Sequence, residues 1–267
     1  MEYVRSRAAP ALDGLVTGYS GYRLTGPPGT HQGLPSDRLI LVVPLTGTLD
    51  IVGRDGTAAF PATLGGLHDR PVVISHDGLQ HGVQIDLTWR AARALLGLPA
   101  GELAGEVLDP AAVLGPQAVE LTERLHTAPT WPDRFRVLDA ALAALVRDRP
   151  AAPPPEVGRA WRRLAETGGN LTVADLAGEL GWSRRHLTER FRRELGVPPK
   201  TAARLIRFAR ACRLLRRPGA RPADVAARCG YFDQAHLARE FRALGGTTAT
   251  RWLAEFPSVQ DRGAAPA

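Results

Sequence analysis

The feature that most limits what this chain can fold into is a repeat in its carboxyl-terminal part. Trp182-Ser183-Arg184-Arg185-His186-Leu187-Thr188-Glu189-Arg190-Phe191-Arg192 returns 50 residues later as Phe232-Asp233-Gln234-Ala235-His236-Leu237-Ala238-Arg239-Glu240-Phe241-Arg242. A leading aromatic, a His-Leu pair and a Phe-Arg pair coincide. Ser183 and Asp233 have the chemistry of helix N-caps. Trp182 with Leu187, and Phe232 with Leu237, stand at the positions of a hydrophobic staple. Leu187 and Phe191, like Leu237 and Phe241, are spaced i, i+4 and make the inward face of a helix. The histidines of the first turn are expected to pack or hydrogen-bond locally. The helix before each copy also matches. Thr172–Leu180 ends at Gly181, with Thr172 and Asp175 as a capping-box-like pair, and Pro222–Cys229 ends at Gly230, with Pro222 at the first helical position. Ala177 and Ala226 are small where two helices must cross closely. The second copy has one extra residue in its turn, read as Tyr231. The pattern predicts two helix-turn-helix units.

The outward faces carry the chemistry. With Leu187 and Phe191 inward, Arg184, Arg185, Thr188, Glu189 and Arg192 face out. In the second unit Gln234, Ala235, Ala238, Arg239 and Arg242 do so. Side chains at the amino end of a recognition helix reach base edges in the major groove. Arginine suits guanine, glutamine suits adenine, and glutamate can accept from cytosine N4. Between the units, Pro198–Leu215 reads as a rigid connecting helix with Leu205, Phe208, Ala209, Cys212 and Leu215 on its apolar side. Recognition helices about 34 Å apart enter successive major grooves on one face of a duplex. Arg204 and Arg207, with the helix starts near Thr172 and Pro222, are weaker candidates for phosphate contacts, which position a protein without specifying sequence.

Charge supports a polyanionic partner for one half only. Residues 1–150 carry 13 Lys+Arg against 16 Asp+Glu, a net of −3, and residues 151–267 carry 21 against 11, a net of +10. The break falls at Pro150, before Ala151-Ala152-Pro153-Pro154-Pro155, a stiff linker signal. At 267 residues with 44% hydrophobic and 23% charged residues, the chain is expected to be globular with two domains. Cys212 and Cys229 make no disulfide framework and have no zinc spacing. No long uncharged apolar window or signal peptide is evident, so a cytoplasmic protein without a membrane partner, nucleoid-associated when bound to DNA, is expected.

The front half reads as short strands broken by turns. Leu39–Val43, Leu49–Val52, Val72–Ile74 and the alternating Val83–Leu87 are strand candidates, with Pro27-Pro28-Gly29, Asp55-Gly56 and Asp77-Gly78 between them. Thr88 reads as the N-cap of a helix over Trp89–Leu96 that stops at Gly97. Helices follow over Pro116–His126 and Asp133–Val146. The latter has Phe135, Leu138, Leu142 and Leu145 on one stripe, which either packs on its own domain or pairs two chains. His31, His68, His76, His81 and His126 lie in this half. A barrel lined by His68, His76 and His81 could hold a metal, but the close His-x-His spacing with a following Glu is missing, so no metal and no cofactor is expected.

The residues of the back half resemble those of the AraC/XylS family of bacterial transcription regulators over roughly residues 157–256. The likeness is carried by Leu176-Ala177, Gly181-Trp182-Ser183, Leu187, Phe191, Gly196-Val197-Pro198-Pro199, Arg204, Arg207, Ala211 and Leu214-Leu215. It is strongest in Val225-Ala226, Gly230-Tyr231-Phe232-Asp233-Gln234-Ala235-His236-Leu237, Phe241-Arg242 and Gly246. The resemblance implies two helix-turn-helix units joined by a helix. It places the family's recognition positions on Arg185, Thr188, Glu189 and Arg192, and on Gln234, Ala235, Ala238 and Arg239. Two departures stand out: Thr247-Thr248-Ala249 replaces the family's Thr-Pro, implying a softer start to the last helix, and the acidic Glu189 alters base readout in the first unit. Gly82–Asp86, Ala94–Pro99 and Glu102-Leu103 are less specifically similar to a domain that accompanies some members. The four-cysteine alkyl-transfer domain of Ada-type regulators is not matched, since residues 1–150 hold no cysteine.

The expected fold class is therefore α+β with two domains: a small β-rich sandwich or barrel with flanking helices, then an all-α double helix-turn-helix. The expected boundaries are 1–150 for a sensing or dimerising domain, 151–156 for the linker, 157–256 for the DNA-binding domain and 257–267 for a disordered tail. The expected function is sequence-specific transcription regulation on double-stranded DNA, without catalysis. RNA polymerase, a small-molecule effector and a second copy of the chain through the Phe135–Leu145 stripe are the further partners considered. A DNA-tethered enzyme and an architectural DNA binder are the rival readings; Gln234 and Glu189 speak against the latter, since neither helps to bind phosphate.

Overall fold

A computed structural model describes residues 1–53, 56–148 and 152–254. These form two compact units. One comprises Met1–His31, Arg38–Gly66 and Val73–Ala152; the other comprises Pro153 onward together with two short segments, Gln32–Asp37 and Leu67–Val72. A cut at the proline-rich stretch would leave those two segments in the first unit. Of the expected linker, Ala151 lies outside the described residues, as does the expected tail from 257, whereas Pro155 and Glu156 already belong to a helix.

The first unit is built on antiparallel sheets. β1 (Glu2–Ser6), β2 (Val16–Thr25), β3 (Gly29–Gly33), β4 (Leu39–Pro44), β5 (Leu49–Gly53), β6 (Gly56–Phe60), β7 (Thr63–Gly65), β8 (Val72–His76), β9 (Leu79–Leu87) and β10 (Val107–Leu108) form two sheets. Their orders are β1-β2-β9-β4-β7-β10 and β3-β8-β5-β6. β9 is central, with Ile85 opposite Tyr19 on β2 and Leu41 on β4. Its alternation predicts one face in water, yet Gln84 and Asp86 are buried as well. A central strand is covered on both sides, so its polar residues must satisfy one another. Gln84 Nε2 donates to Asp86 Oδ1 at 2.7 Å and Arg38 Nη1 donates to Asp86 Oδ2 at 3.1 Å. Burial still pushes the Asp86 carboxyl up, with Arg38 opposing.

β2 is the long strand that the sequence pattern did not announce. It carries Gly18 and Gly21, and glycine normally weakens a strand. Gly21 is there because the Trp131 ring lies on it: a Cβ would sit 2.4 Å from Trp131 Cε3. The helices of this unit are the turn α1 (Trp89–Ala91), which continues as a π turn over Ala92–Leu96, then α2 (Ala111–Leu114), α3 (Pro116–Thr127) and α4 (Trp131–Asp148). Gly97 ends the π turn at φ 75°, as expected. Thr88 precedes α1 but caps nothing; its hydroxyl donates to the Gly14 carbonyl at 2.8 Å.

The α4 stripe does not offer a dimer seam. Phe135, Leu138, Leu142 and Leu145 are all buried within the single chain, and Phe135 stacks on Tyr19 with ring centroids 5.8 Å apart. The Tyr19 hydroxyl donates to Asp139 Oδ1 at 2.9 Å, which fixes the helix to the sheet. Pairing two chains through this stripe would require tearing it from its own core.

The second unit is helical: α5 (Pro155–Glu166), α6 (Val173–Glu179), α7 (Arg184–Leu195), α8 (Pro199–Leu215), α9 (Pro222–Arg228), α10 (Gln234–Gly245) and α11 (Ala249–Ala254). Leu164, Leu176, Ala177, Leu187, Phe191 and Leu195 are buried around its first helix-turn-helix. Phe208, Ala211, Leu215, Val225, Ala226, Tyr231, Leu237, Phe241 and Trp252 form the core of the second, joined by Leu34 from the Gln32–Asp37 segment. Cys229 is fully buried in that core, and burial pushes the Cys212 thiol up to about 12. The start of α11 is not left soft by the missing proline. Thr248 Oγ1 accepts from the Arg251 N–H at 3.2 Å, and Trp252 packs on Phe241. No helix among the described residues is long and apolar enough to cross a membrane.

Candidate nucleic-acid interface

Each unit of the repeat is a short helix, a glycine turn and a capped second helix. Thr172 Oγ1 accepts from the Asp175 N–H at 3.1 Å and donates to its carboxylate at 2.7 Å, which closes the amino end of α6 on itself. Gly181 and Gly230 turn the chain at φ 67° and 74°, a region that L side chains avoid. Ser183 Oγ then accepts from the His186 N–H at 3.1 Å, and Asp233 Oδ1 from the His236 N–H at 2.6 Å. These bonds satisfy helix donors that would otherwise be orphaned.

The turns differ in a way that revises the alignment of the repeat. The Trp182 N–H donates to the Ala177 carbonyl at 2.9 Å, and in the second unit the Tyr231 N–H donates to the Ala226 carbonyl at 3.0 Å. The Trp182 ring meets His186 edge-on at 4.7 Å, and the Tyr231 ring meets His236 at 5.2 Å. Tyr231 is thus the counterpart of Trp182, and the inserted residue is Phe232. The staple expected between Phe232 and Leu237 does not form. Tyr231 has taken the interior place, and Phe232 is 92% exposed. Its N–H donates to His236 Nδ1 at 3.3 Å, holding the bulge against α10.

The expected outward faces are outward. On α7, Arg184, Arg185, Glu189 and Arg192 are exposed, while Leu187 and Phe191 are 0% exposed. Thr188 is half-buried, and its hydroxyl donates to the Arg184 carbonyl at 2.8 Å. On α10, Gln234, Ala235, Arg239 and Arg242 are exposed and Ala238 is half-buried. Arg185 Nε donates to Glu189 Oε1 at 2.9 Å, one turn along the same helix. The Arg185 guanidinium holds the Glu189 carboxyl below the usual range, so it is ionised.

The two weaker candidates stand elsewhere. Arg204 is not an open cation: Nε and Nη2 grip both oxygens of Glu240 at 2.9 and 3.1 Å, tying α8 to α10. Arg207 is half-buried, with its guanidinium over the Tyr231 ring at 5.4 Å. In the connecting helix, structural pairing has first claim on these two arginines.

The histidines do not form one group. His76 and His81 help to line a cavity of about 200 Å³ in the first unit, with Tyr22, Thr46, Ser75 and Gln80, whereas His68 belongs to the second unit. His81 Nδ1 lies 3.0 Å from the Thr46 hydroxyl. Among the described residues, no group of three or more His, Cys, Asp or Glu side chains is placed to hold a metal ion.

Residues 176–255 match the family model described as a helix-turn-helix domain. A Bacillus subtilis protein, the uncharacterized HTH-type transcriptional regulator YbfI, is 38% identical over 68 residues, 26% of this chain and 24% of that protein. The match therefore spans about a quarter of the relative's length. The fold of the whole chain is similar to ToxT from Vibrio cholerae. The unsaturated-fatty-acid-bound form gives a TM-score of 0.57 at 11% identity, covering 92% of this chain and 97% of that one. ToxT of strain O395 gives 0.55 at 14%, covering 90% and 98%. With its paired, capped units and these relationships in place, the carboxyl-terminal part of the chain carries a helix-turn-helix domain.

Proposed function

We propose that this chain is a sequence-specific DNA-binding regulator of transcription, working in the bacterial cytoplasm and on the nucleoid when bound, with α7 and α10 in successive major grooves. The observation that carries this reading is the split within each recognition helix. One face is buried core, and the other presents Arg184, Arg185, Glu189 and Arg192, or Gln234, Ala235, Arg239 and Arg242, beside a capped amino end. Arginine, glutamine and glutamate side chains are able to hydrogen-bond base edges, and Gln234 and Glu189 are not cations that neutralise phosphate. The reading needs no catalytic step. For the first unit, the cavity lined by Tyr22, His76, Gln80 and His81 supports a sensing role for a small molecule, and ToxT, whose fold is similar, has been crystallised with an unsaturated fatty acid.

The test is competition binding with the purified full-length chain. Labelled genomic fragments are displaced by increasing amounts of unrelated duplex at fixed salt. A regulator retains its own fragments against a roughly thousandfold or greater excess. Equal displacement from every fragment would leave only phosphate binding and overturn the reading.

A further inference from the structure

The two recognition helices align residue for residue at an offset of 50, so their chemistry can be compared position by position. Where α7 opens with Arg184 and Arg185, α10 opens with Gln234 and Ala235. Where α7 has Thr188, α10 has Ala238. In front of α10 stands Phe232, a large apolar side chain that is 92% exposed and pinned through its own backbone N–H to His236. The amino-terminal approach of α7 has nothing similar, because Trp182 is folded onto His186. The opening turn of α7 is ionic and hydrogen-bonding; that of α10 offers an apolar ring, a methyl and a single amide, and its arginines, Arg239 and Arg242, stand further along the helix.

We propose that the two units read chemically different base steps: α7 a guanine, gripped by Arg185 with Glu189 as its positioning residue, and α10 an A·T step, with Gln234 on adenine and Phe232 against a thymine methyl. The inference rests on the reading of the chain as a sequence-specific DNA binder. For α7 the argument is geometric. Arg185 Nε is committed to Glu189 Oε1, which leaves the Nη1–Nη2 edge of the guanidinium for guanine O6 and N7 and limits the swing of a long side chain. The ionised Glu189 also repels phosphate, so a guanidinium misplaced onto the backbone gains less. Sequence discrimination is raised at the expense of non-specific affinity.

For α10 the argument is one of exposure and composition. A phenylalanine side chain in water is tolerated singly, but this one lies beside the first turn, the part of a recognition helix that reaches base edges. Thymine is the base with a methyl group in the major groove, and apolar side chains contact it. Ala235 clears room for that approach, and Gln234 supplies an amide whose oxygen accepts from adenine N6–H and whose NH2 donates to adenine N7. Arg239 lies one turn further on, at the position of Glu189, and serves a neighbouring base or phosphate.

The experiment is selection of binding sites from a randomised duplex pool with the full-length chain and four variants: Arg185→Ala, Glu189→Gln, Phe232→Ser and Phe232→Leu. All these side chains are exposed, and thermal melts confirm folding. The wild type is expected to return two blocks about one helical turn apart, one holding a guanine and the other an A·T step. Arg185→Ala abolishes the guanine preference. Glu189→Gln weakens it about tenfold while tightening binding to unrelated duplex, a combination that a purely structural role would not produce. Phe232→Ser lowers the thymine preference in the other block alone, and Phe232→Leu retains it. Two blocks that Phe232→Ser and Glu189→Gln leave unaltered would overturn the inference while sparing the DNA-reading function. A pool that shows no enrichment would overturn both.

Discussion

Arg204 shows how a residue's chemistry can be legible while its partner is not. An arginine on a basic helix is open to phosphate on sequence grounds, but Glu240 lies 36 residues away and only the fold reveals their bidentate pairing. The pair is largely withdrawn from water, with side chains 28% and 12% exposed. Removing one member strands the other's charge. Arg204→Ala should therefore lower stability by about 1–3 kcal/mol in denaturant titrations. It should leave the salt slope of DNA binding unchanged, whereas loss of a true phosphate contact reduces that slope by about 1. Gly21 carries the same lesson. In sequence it weakens a strand, and only the Trp131 ring lying over it explains why no side chain can stand there.

Elements were legible where periodicity and capping agreed. Leu187 and Phe191 predict the buried face of α7, and Ser183 and Asp233 predict its start and that of α10, because these depend on neighbours within one turn. Asp233→Ala should cost about 1 kcal/mol of stability in a thermal melt, as the His236 N–H loses its acceptor, and Asp233→Ser should recover most of it. The strands were half legible. β4, β5 and β8 hold short apolar runs and β9 alternates, whereas β1, β2 and β7 are polar, glycine-bearing or very short and owe their existence to long-range pairing. The inserted residue was misassigned for a related reason: Tyr231 and Phe232 are both aromatic, and only the Tyr231 N–H bond to Ala226 tells which one keeps the helix register. The stripe on α4 was legible as apolar, but what it covers was not.

At the scale of the whole molecule, titration should reveal how much of the fold depends on uncharged histidines. Burial, with His76 nearby, lowers the His31 imidazole from 6.5 to about 4. An unfolded chain then binds a proton that the folded one refuses, so stability falls as pH drops from about 6.5 to about 4. His68, His76 and His81 are lowered in the same sense, while buried Asp86, raised, acts in the opposite one. His31→Gln should flatten this acid limb by an amount on the order of 3 kcal/mol, measured as the difference between two pH series of denaturant midpoints.

The partition of charge, acidic ahead of Pro150 and basic behind it, suggests a chain that separates cleanly in two. The core of the second helix-turn-helix does not separate there, because Leu34 is buried in it beside Phe208 and Phe241. Leu34→Ala should cost about 2–4 kcal/mol in a denaturant melt of the full-length protein, although it stands far from the repeat in sequence. Modular exchange thus acquires a rule. A chimera that grafts the segment after Pro153 onto a foreign sensory module inherits a hole where Leu34 belonged. Recombination between such chains, in the laboratory or in genomes, should succeed at crossovers that carry a matching plug along with the helix-turn-helix units.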